Sequence, residues 1–179
     1  MKALISFAIF TMLPFAAVRA EDSSAGATKR NTNRVAFAQY CFWTGEMELG
    51  QIEGVVRTEA GYFQGREVTL VDYDPARISL DKLASQARRV GVADRIHLPA
   101  GAQLPGTEVA GVKIGAPLDG SYRTAPASDQ KKQLEGTPYA GLKLTPEQAT
   151  KVNAFVRVNP SKALEWIPAA LRDNLVGAR

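Results

Sequence analysis

The sequence predicts a sandwich of sheet and helices, α+β or α/β in class. Three observations predict it. The hydrophobic period changes along the chain in the order strand, helix, strand, strand, helix. The run Glu67-Val68-Thr69-Leu70-Val71-Asp72-Tyr73 alternates sides and favours strand through its β-branched residues. Leu80, Leu83, Ala84 and Ala87 then recur at helical spacing.

The first twenty residues stand outside this pattern. Lys2, the apolar stretch from Ala3 to Ala17, and Val18 and Ala20 at the −3 and −1 positions read as a secretory signal peptide cut before Glu21. The run is short and holds Pro14, which suits a bilayer span poorly. The protein is therefore expected to be exported, periplasmic or secreted, with no membrane insertion after cleavage. Residues 21–33 are small, polar and charged, as in a flexible N-terminus. One domain is expected over 34–179, in keeping with the chain length.

Within that domain, Val35-Ala36-Phe37-Ala38 is a short strand-type run. Trp43 to Gln51 fits a helix that Gly54 closes. Val55 to Tyr62 reads as a strand, and Asp74-Pro75 stops the strand over 67–73. Ser79 can cap a helix from Leu80 to about Val90, ended by Gly91. Residues 92–127 are rich in Gly, Pro and Ala, an irregular stretch with one possible strand over Val109–Ile114. Thr145-Pro146-Glu147-Gln148 is a capping box with proline at the first helical position. Its helix is expected to bury Ala149, Val152, Phe155 and Val156 and to end by Asn159-Pro160. A short helix from Ser161 then carries Trp166.

Composition narrows the function. Without Lys2 and Arg19 of the leader, the formal net charge falls from +4 to +2. A near-neutral domain with no basic stripe gives no electrostatic basis for nucleic-acid binding. Cys41 is the only cysteine and His97 the only histidine. No internal disulfide can form, and no zinc site is readable. No metal and no cofactor are expected.

Cys41 itself sits between a strand and a helix. A cysteine there faces the positive end of the helix dipole and free backbone N–H groups, which favour thiolate over thiol. It is either such a nucleophile or a small buried hydrophobe under a helix cap. Phe42 and Trp43 are either core anchors or the wall of a pocket. Helical neighbours lie about 100° apart, so both cannot point into one core.

The segment from Val35 to about residue 90 resembles the peptide methionine sulfoxide reductase A family. The residues that carry the resemblance are Cys41-Phe42-Trp43, Glu46, Gly54-Val55-Val56, Thr58, Gly61-Tyr62, Glu67, Tyr73-Asp74-Pro75 and Ile78-Ser79. The resemblance implies that family's α+β fold, a two-layer sandwich with a mixed β-sheet flanked by helices and a ferredoxin-like core, and reduction of methionine-S-sulfoxide, free or in proteins. It implies Cys41 as the nucleophile that attacks the sulfoxide sulfur. It makes Glu67 the acid that protonates the oxygen, and Phe42 and Trp43 the holders of the S-methyl group. Sulfoxide oxygen leaves poorly until protonated, which is why the chemistry needs an acid in an apolar setting. The plain alternative for Glu67 is a strand-edge ion pair with Arg66, and Glu46 reads as a helix-face residue that orients the fold.

The chain departs from the family pattern in several places. Tyr40 replaces the glycine before the cysteine. The loop between Gly61-Tyr62 and the acid is shortened to Phe63–Arg66, which removes a tyrosine that would hold the sulfoxide oxygen. Tyr62 or Tyr122 is the expected substitute. Asp119-Gly120-Ser121-Tyr122-Arg123-Thr124 resembles a downstream family stretch, which adds Asp119 and Tyr122 to the substrate-binding set. His97 is expected to be a structural cap or surface residue. No resolving cysteine exists, so an external thiol, thioredoxin-like or small, would have to reduce the sulfenic acid left on Cys41. Two other readings remain open on the same residues: a different thiol-based redox enzyme on this scaffold, and a non-catalytic binding module.

Overall fold

The computed structural model describes residues 31–103 and 106–176. The signal peptide expected over 1–20, and residues 21–30 of the segment after it, lie outside the described residues. The chain forms β1 (Asn33–Ala38), α1 (Phe42–Gln51), β2 (Val55–Phe63), β3 (Arg66–Tyr73), α2 (Leu80–Arg89) and β4 (Arg95–His97). It continues with β5 (Glu108–Val109), β6 (Val112–Lys113), β7 (Arg123–Thr124), α3 (Pro146–Phe155), α4 (Pro160–Glu165) and α5 (Ala169–Val176). Asn33, expected at the end of a flexible arm, instead opens β1. It pairs with Tyr73, and the neighbouring Arg34 guanidinium grips Asp72 at 2.6 Å.

The architecture is α+β. The main sheet has the order β4-β1-β3-β2-β7, and its strand pairs are antiparallel. The parallel component of the expected mixed sheet is confined to two isolated bridges, Ile96–Ile114 and Pro99–Leu118. Strand alternation gives the sheet two faces. Val35, Phe37, Val71 and Tyr73 point to one face, where Leu49 of α1, Ile52 just past it, and Leu83, Ala84 and Ala87 of α2 cover them. Ala36, Ala38, Phe63, Val68 and Leu70 point to the other, under Leu118 and Tyr122. Burying side chains such as Phe37, Leu49 and Leu83 contributes about 1.5–3 kcal/mol each before chain entropy is subtracted.

Most boundaries follow the sequence signals. Ser79 caps α2 through the Lys82 amide, and the Thr145–Gln148 capping box is formed in both directions. The stretch 92–127 is less irregular than its composition suggests, because Arg95–His97 adds a strand to the edge of the sheet. Val109–Ile114 is not one strand. Ala110 and Gly111, at φ 49° and 76°, reverse the chain between β5 and β6. In α3, Ala149 is only half-buried, while Thr150 through Phe155 and the following Val156 are buried. Helix α5 carried no periodic signal, and Trp166 sits just past the end of α4.

Two contacts fix α1. A Cβ on Gly45 would lie 2.3 Å from the Thr69 hydroxyl oxygen and 2.5 Å from the Gln39 side chain. Only glycine lets the helix approach β3 this closely. Gly45→Ala should therefore destabilise the fold by about 1–3 kcal/mol, the range for overpacking a tight contact. Urea unfolding measures it, and the general preference of helices for alanine over glycine predicts the opposite sign.

At its other end α1 is held by Lys151 of α3, only 6% exposed, whose ammonium donates to the carbonyls of Gly50 (2.7 Å) and Ile52 (3.1 Å). Burial lowers its pKa from 10.5 to about 8, against the attraction of Glu147. Between those values the unfolded chain binds more protons than the folded one, so stability should rise with pH from about 8 to 10.5. The gain attributable to this group is of order 3 kcal/mol. It should be absent in Lys151→Met when unfolding free energies are compared across that window.

Candidate active site

Cys41 is the residue immediately before α1, with extended backbone angles (φ −139°, ψ 116°). Its carbonyl accepts the first helical hydrogen bond, from Gly45 at 3.0 Å. The thiol is half-buried and free, and no side chain of this residue caps the helix. The cap comes from elsewhere. Glu67 at the start of β3 places Oε2 2.8 Å from the Phe42 amide, whose N–H donates to it. The carboxyl group thus takes a first-turn amide that would otherwise lack a partner, at the residue next to Cys41. The ion pair with Arg66 is not formed, since Arg66 pairs instead with Asp94 at 2.9 Å.

The joint before Cys41 is pinned to β3. The Gln39 amide N–H donates to the Glu67 carbonyl (3.3 Å), and the buried Gln39 side-chain amide hydrogen-bonds the Thr69 hydroxyl (2.7 Å). Thr69 in turn donates to the Phe42 carbonyl at 3.4 Å. The same strand therefore orients Cys41 from both sides. Tyr40 is the exception: it makes no such contact and is 96% exposed.

An aromatic cluster adjoins the thiol. Phe42 is buried against Ala60 and Ala125, with Trp43 and Tyr62 half-buried around it. The Phe42 ring meets Trp43 at 6.0 Å and Tyr62 at 5.4 Å, both edge-on. Tyr62 lies directly opposite Glu67 in the β2–β3 ladder. The Trp43 Nε1 is buried without a hydrogen-bond partner among the described residues. Cys41, Phe42, Trp43, Tyr62 and Glu67 thus come together.

Tyr122 and Asp119 do not join them. Gly61 points to the opposite face of the sheet from Ala60 and Tyr62, and the Tyr122 ring lies over it, within 2.4–2.6 Å of where a Cβ would stand. The Tyr122 hydroxyl donates to Glu59 at 2.8 Å. Burial and that carboxylate push the phenol well above the ordinary tyrosine value, so it stays protonated and committed to Glu59. Asp119 is exposed in the loop before it and accepts from the Ser121 amide at 2.8 Å. The Ser121 hydroxyl and amide hold its carboxyl below the usual range. His97 is buried on this far face, edge-on to Phe63 at 4.9 Å and bonded through Nδ1 to the Ala116 carbonyl at 2.8 Å. It is structural, not a surface residue, and no partner for Cys41.

Glu46 is fully buried one turn into α1. It accepts from the Lys131 amide at 2.7 Å, pairs with the Lys131 ammonium, and accepts from the Thr58 hydroxyl at 3.3 Å. It is a scaffold residue. Its partner segment belongs to residues 130–132. Gln130 clasps the Ala60 backbone through both amide atoms (3.0 and 2.8 Å), and the Lys132 ammonium stands 5.1 Å from the Trp43 ring centroid. No periodicity marks this stretch. For Gly45, a glycine inside a helical pattern was the available hint of close packing.

The hairpin beside the site is short. Gln64 and Gly65, both at positive φ (50° and 73°), form a two-residue turn between β2 and β3. With Gly54-Val55-Val56 leading β2 and Tyr73-Asp74-Pro75 closing β3, the Cys-Phe-Trp corner and its carboxylate are now fixed in space. Comparison with known proteins finds partial similarity to two relatives. The chain is 37% identical to peptide methionine sulfoxide reductase MsrA of Geobacter metallireducens, over 28% of this chain and 41% of that protein. It is 36% identical to MsrA 1 of Rhizobium meliloti, over 32% of this chain and 35% of that protein. A portion of the chain is thus similar to part of two MsrA proteins. The match spans well under half the length of either relative, and no protein-family model matches the chain. The α+β sheet with flanking helices is compatible with an MsrA-like fold.

Proposed function

We propose that the protein is an exported methionine-S-sulfoxide reductase that works through one cysteine, on an MsrA-type fold with a ferredoxin-like core. The observation that carries this reading is the Glu67 carboxyl on the Phe42 amide, at the helix end where Cys41 stands. The Cys41 sulfur attacks the sulfoxide sulfur while Glu67 delivers a proton to the oxygen. The oxygen passes to Cys41, which becomes a sulfenic acid, and the substrate leaves as a thioether. One external thiol then displaces water and forms a mixed disulfide. A second thiol releases Cys41 and departs as the oxidised disulfide. In this reading Phe42 and Trp43 offer the S-methyl group an apolar wall, and Tyr62, which pairs with Glu67 across the β2–β3 ladder, offers its hydroxyl to the oxygen. Export and the external reductant rest on the leader and on the single cysteine.

The deciding experiment is a thiol-dependent reduction assay on methionyl sulfoxide, run separately on the S and R epimers and on dimethyl sulfoxide. Turnover of the S epimer with dithiothreitol, and not of the R epimer, is the expected result. The two-residue Gln64-Gly65 turn favours one other reading, a thiol acting on a different electrophile at a more open mouth. In that case peroxides or disulfides would turn over while both sulfoxide epimers remain untouched. A binding module would turn over none of these.

A further inference from the structure

A cleft of about 210 Å³ opens where the C-terminal end of α1 and the start of β2 meet α3 and α4. That is the volume of about seven water molecules. Phe155 and Trp166 supply its apolar walls, and Lys151 lines it from within the helical layer. The Lys151 ammonium has three N–H donors, of which two are spent on the Gly50 and Ile52 carbonyls. One donor is left over, on an ammonium whose nitrogen stands 5.9 Å from the Trp166 ring centroid. A buried ammonium with a spare donor gains from a carboxylate, because both charges are then satisfied away from water.

The surrounding charges set the ligand's sign and magnitude. Arg77 and Lys162 also line the cleft, with Glu53 and Glu147. Arg77 is already paired with Glu53 at 2.9 Å. Three cations against two carboxylates leave one positive charge to be met, which suits a monoanion and disfavours a dianion.

We propose that this cleft binds a small organic monocarboxylate, with its carboxylate on Lys151 and its apolar body between Phe155 and Trp166. The site is independent of the thiol chemistry. It is also proton-linked. Burial lowers the Lys151 pKa to about 8, with Glu147 on its own helix and Glu53 in the α1–β2 turn opposing that shift, and Arg77 before α2 and Lys162 on α4 adding to it. Affinity should therefore weaken about tenfold per pH unit above that value, as the proton that pairs with the carboxylate is lost.

The test titrates the protein with 3-phenylpropionate, its neutral amide and inorganic phosphate, following thermal unfolding and tryptophan fluorescence. The acid should saturate at millimolar concentration, raise Tm, and bind at least about tenfold more tightly than the amide at pH 7, a charge-assisted bond's share of the affinity. The fluorescence change should persist in Trp43→Phe and vanish in Trp166→Phe. Lys151→Met should erase the preference for acid over amide. If that variant does not fold, Lys162→Ala, on an exposed side chain, should still weaken the acid several-fold and leave the amide unchanged. Equal binding of acid and amide, tighter binding of phosphate, or a signal that survives Trp166→Phe would each overturn the proposal.

Discussion

Cys41→Ala should abolish sulfoxide reduction, to the level of the assay blank, while the protein keeps its fold. The sulfur is the only thiol in the chain, so no neighbouring residue can stand in as acceptor of the oxygen. The structural cost is small, because the thiol makes no capping hydrogen bond and the helix end is held by Glu67 instead. An unchanged unfolding midpoint together with lost turnover separates chemistry from folding. Normal turnover of methionyl sulfoxide by Cys41→Ala would sink the assignment of the nucleophile.

Glu67→Gln should lower kcat/KM by about 10²-fold or more, the usual scale for losing a positioned proton donor. Glutamine keeps an oxygen that can accept from the Phe42 amide, so the α1 cap and the register of β3 should survive. What disappears is the acidic proton. The informative readout is the leaving-oxygen step: the variant should still form a Cys41 adduct with an alkylating reagent at a comparable rate, yet fail to turn over sulfoxide. Equal losses in alkylation and turnover would mean that Glu67 acts by holding the helix end and not by proton donation.

Much of the site could be read in the amino-acid order, for physical reasons that also mark where reading stops. Cys41 at a strand–helix joint was legible because a helix start needs only local signals. That Phe42 and Trp43 diverge followed from the helical angle. Glu67 was harder, because alternation places it on the same side as Thr69 and Val71 but cannot say which helix covers that side. The family resemblance supplied that missing distance. Tyr122 and Asp119 were misplaced for the same reason in reverse: a short motif carries no record of which face of the sheet its loop crosses. Gly61, one residue before Tyr62 on β2, decides it, since its bare α-carbon takes the Tyr122 ring on the far side. The Lys131 and Gln130 clasp has no periodicity to announce it. Its partners lie 85 and 70 residues away in the chain.

That long reach carries a consequence for how the molecule matures. Glu46 lies inside the part of the chain that makes the thiol corner, yet the cation that neutralises it arrives with Lys131. A chain emerging end-first, from ribosome or translocon, holds Cys41 and Glu67 well before it holds that counter-charge. Until then a carboxylate must either stay in water or be buried alone, at a cost of several kcal/mol. The thiol corner is thus locked late, by a residue some 85 positions downstream, and clipping the chain just before Lys131 would leave every reactive group present and the fold that aligns them unsealed.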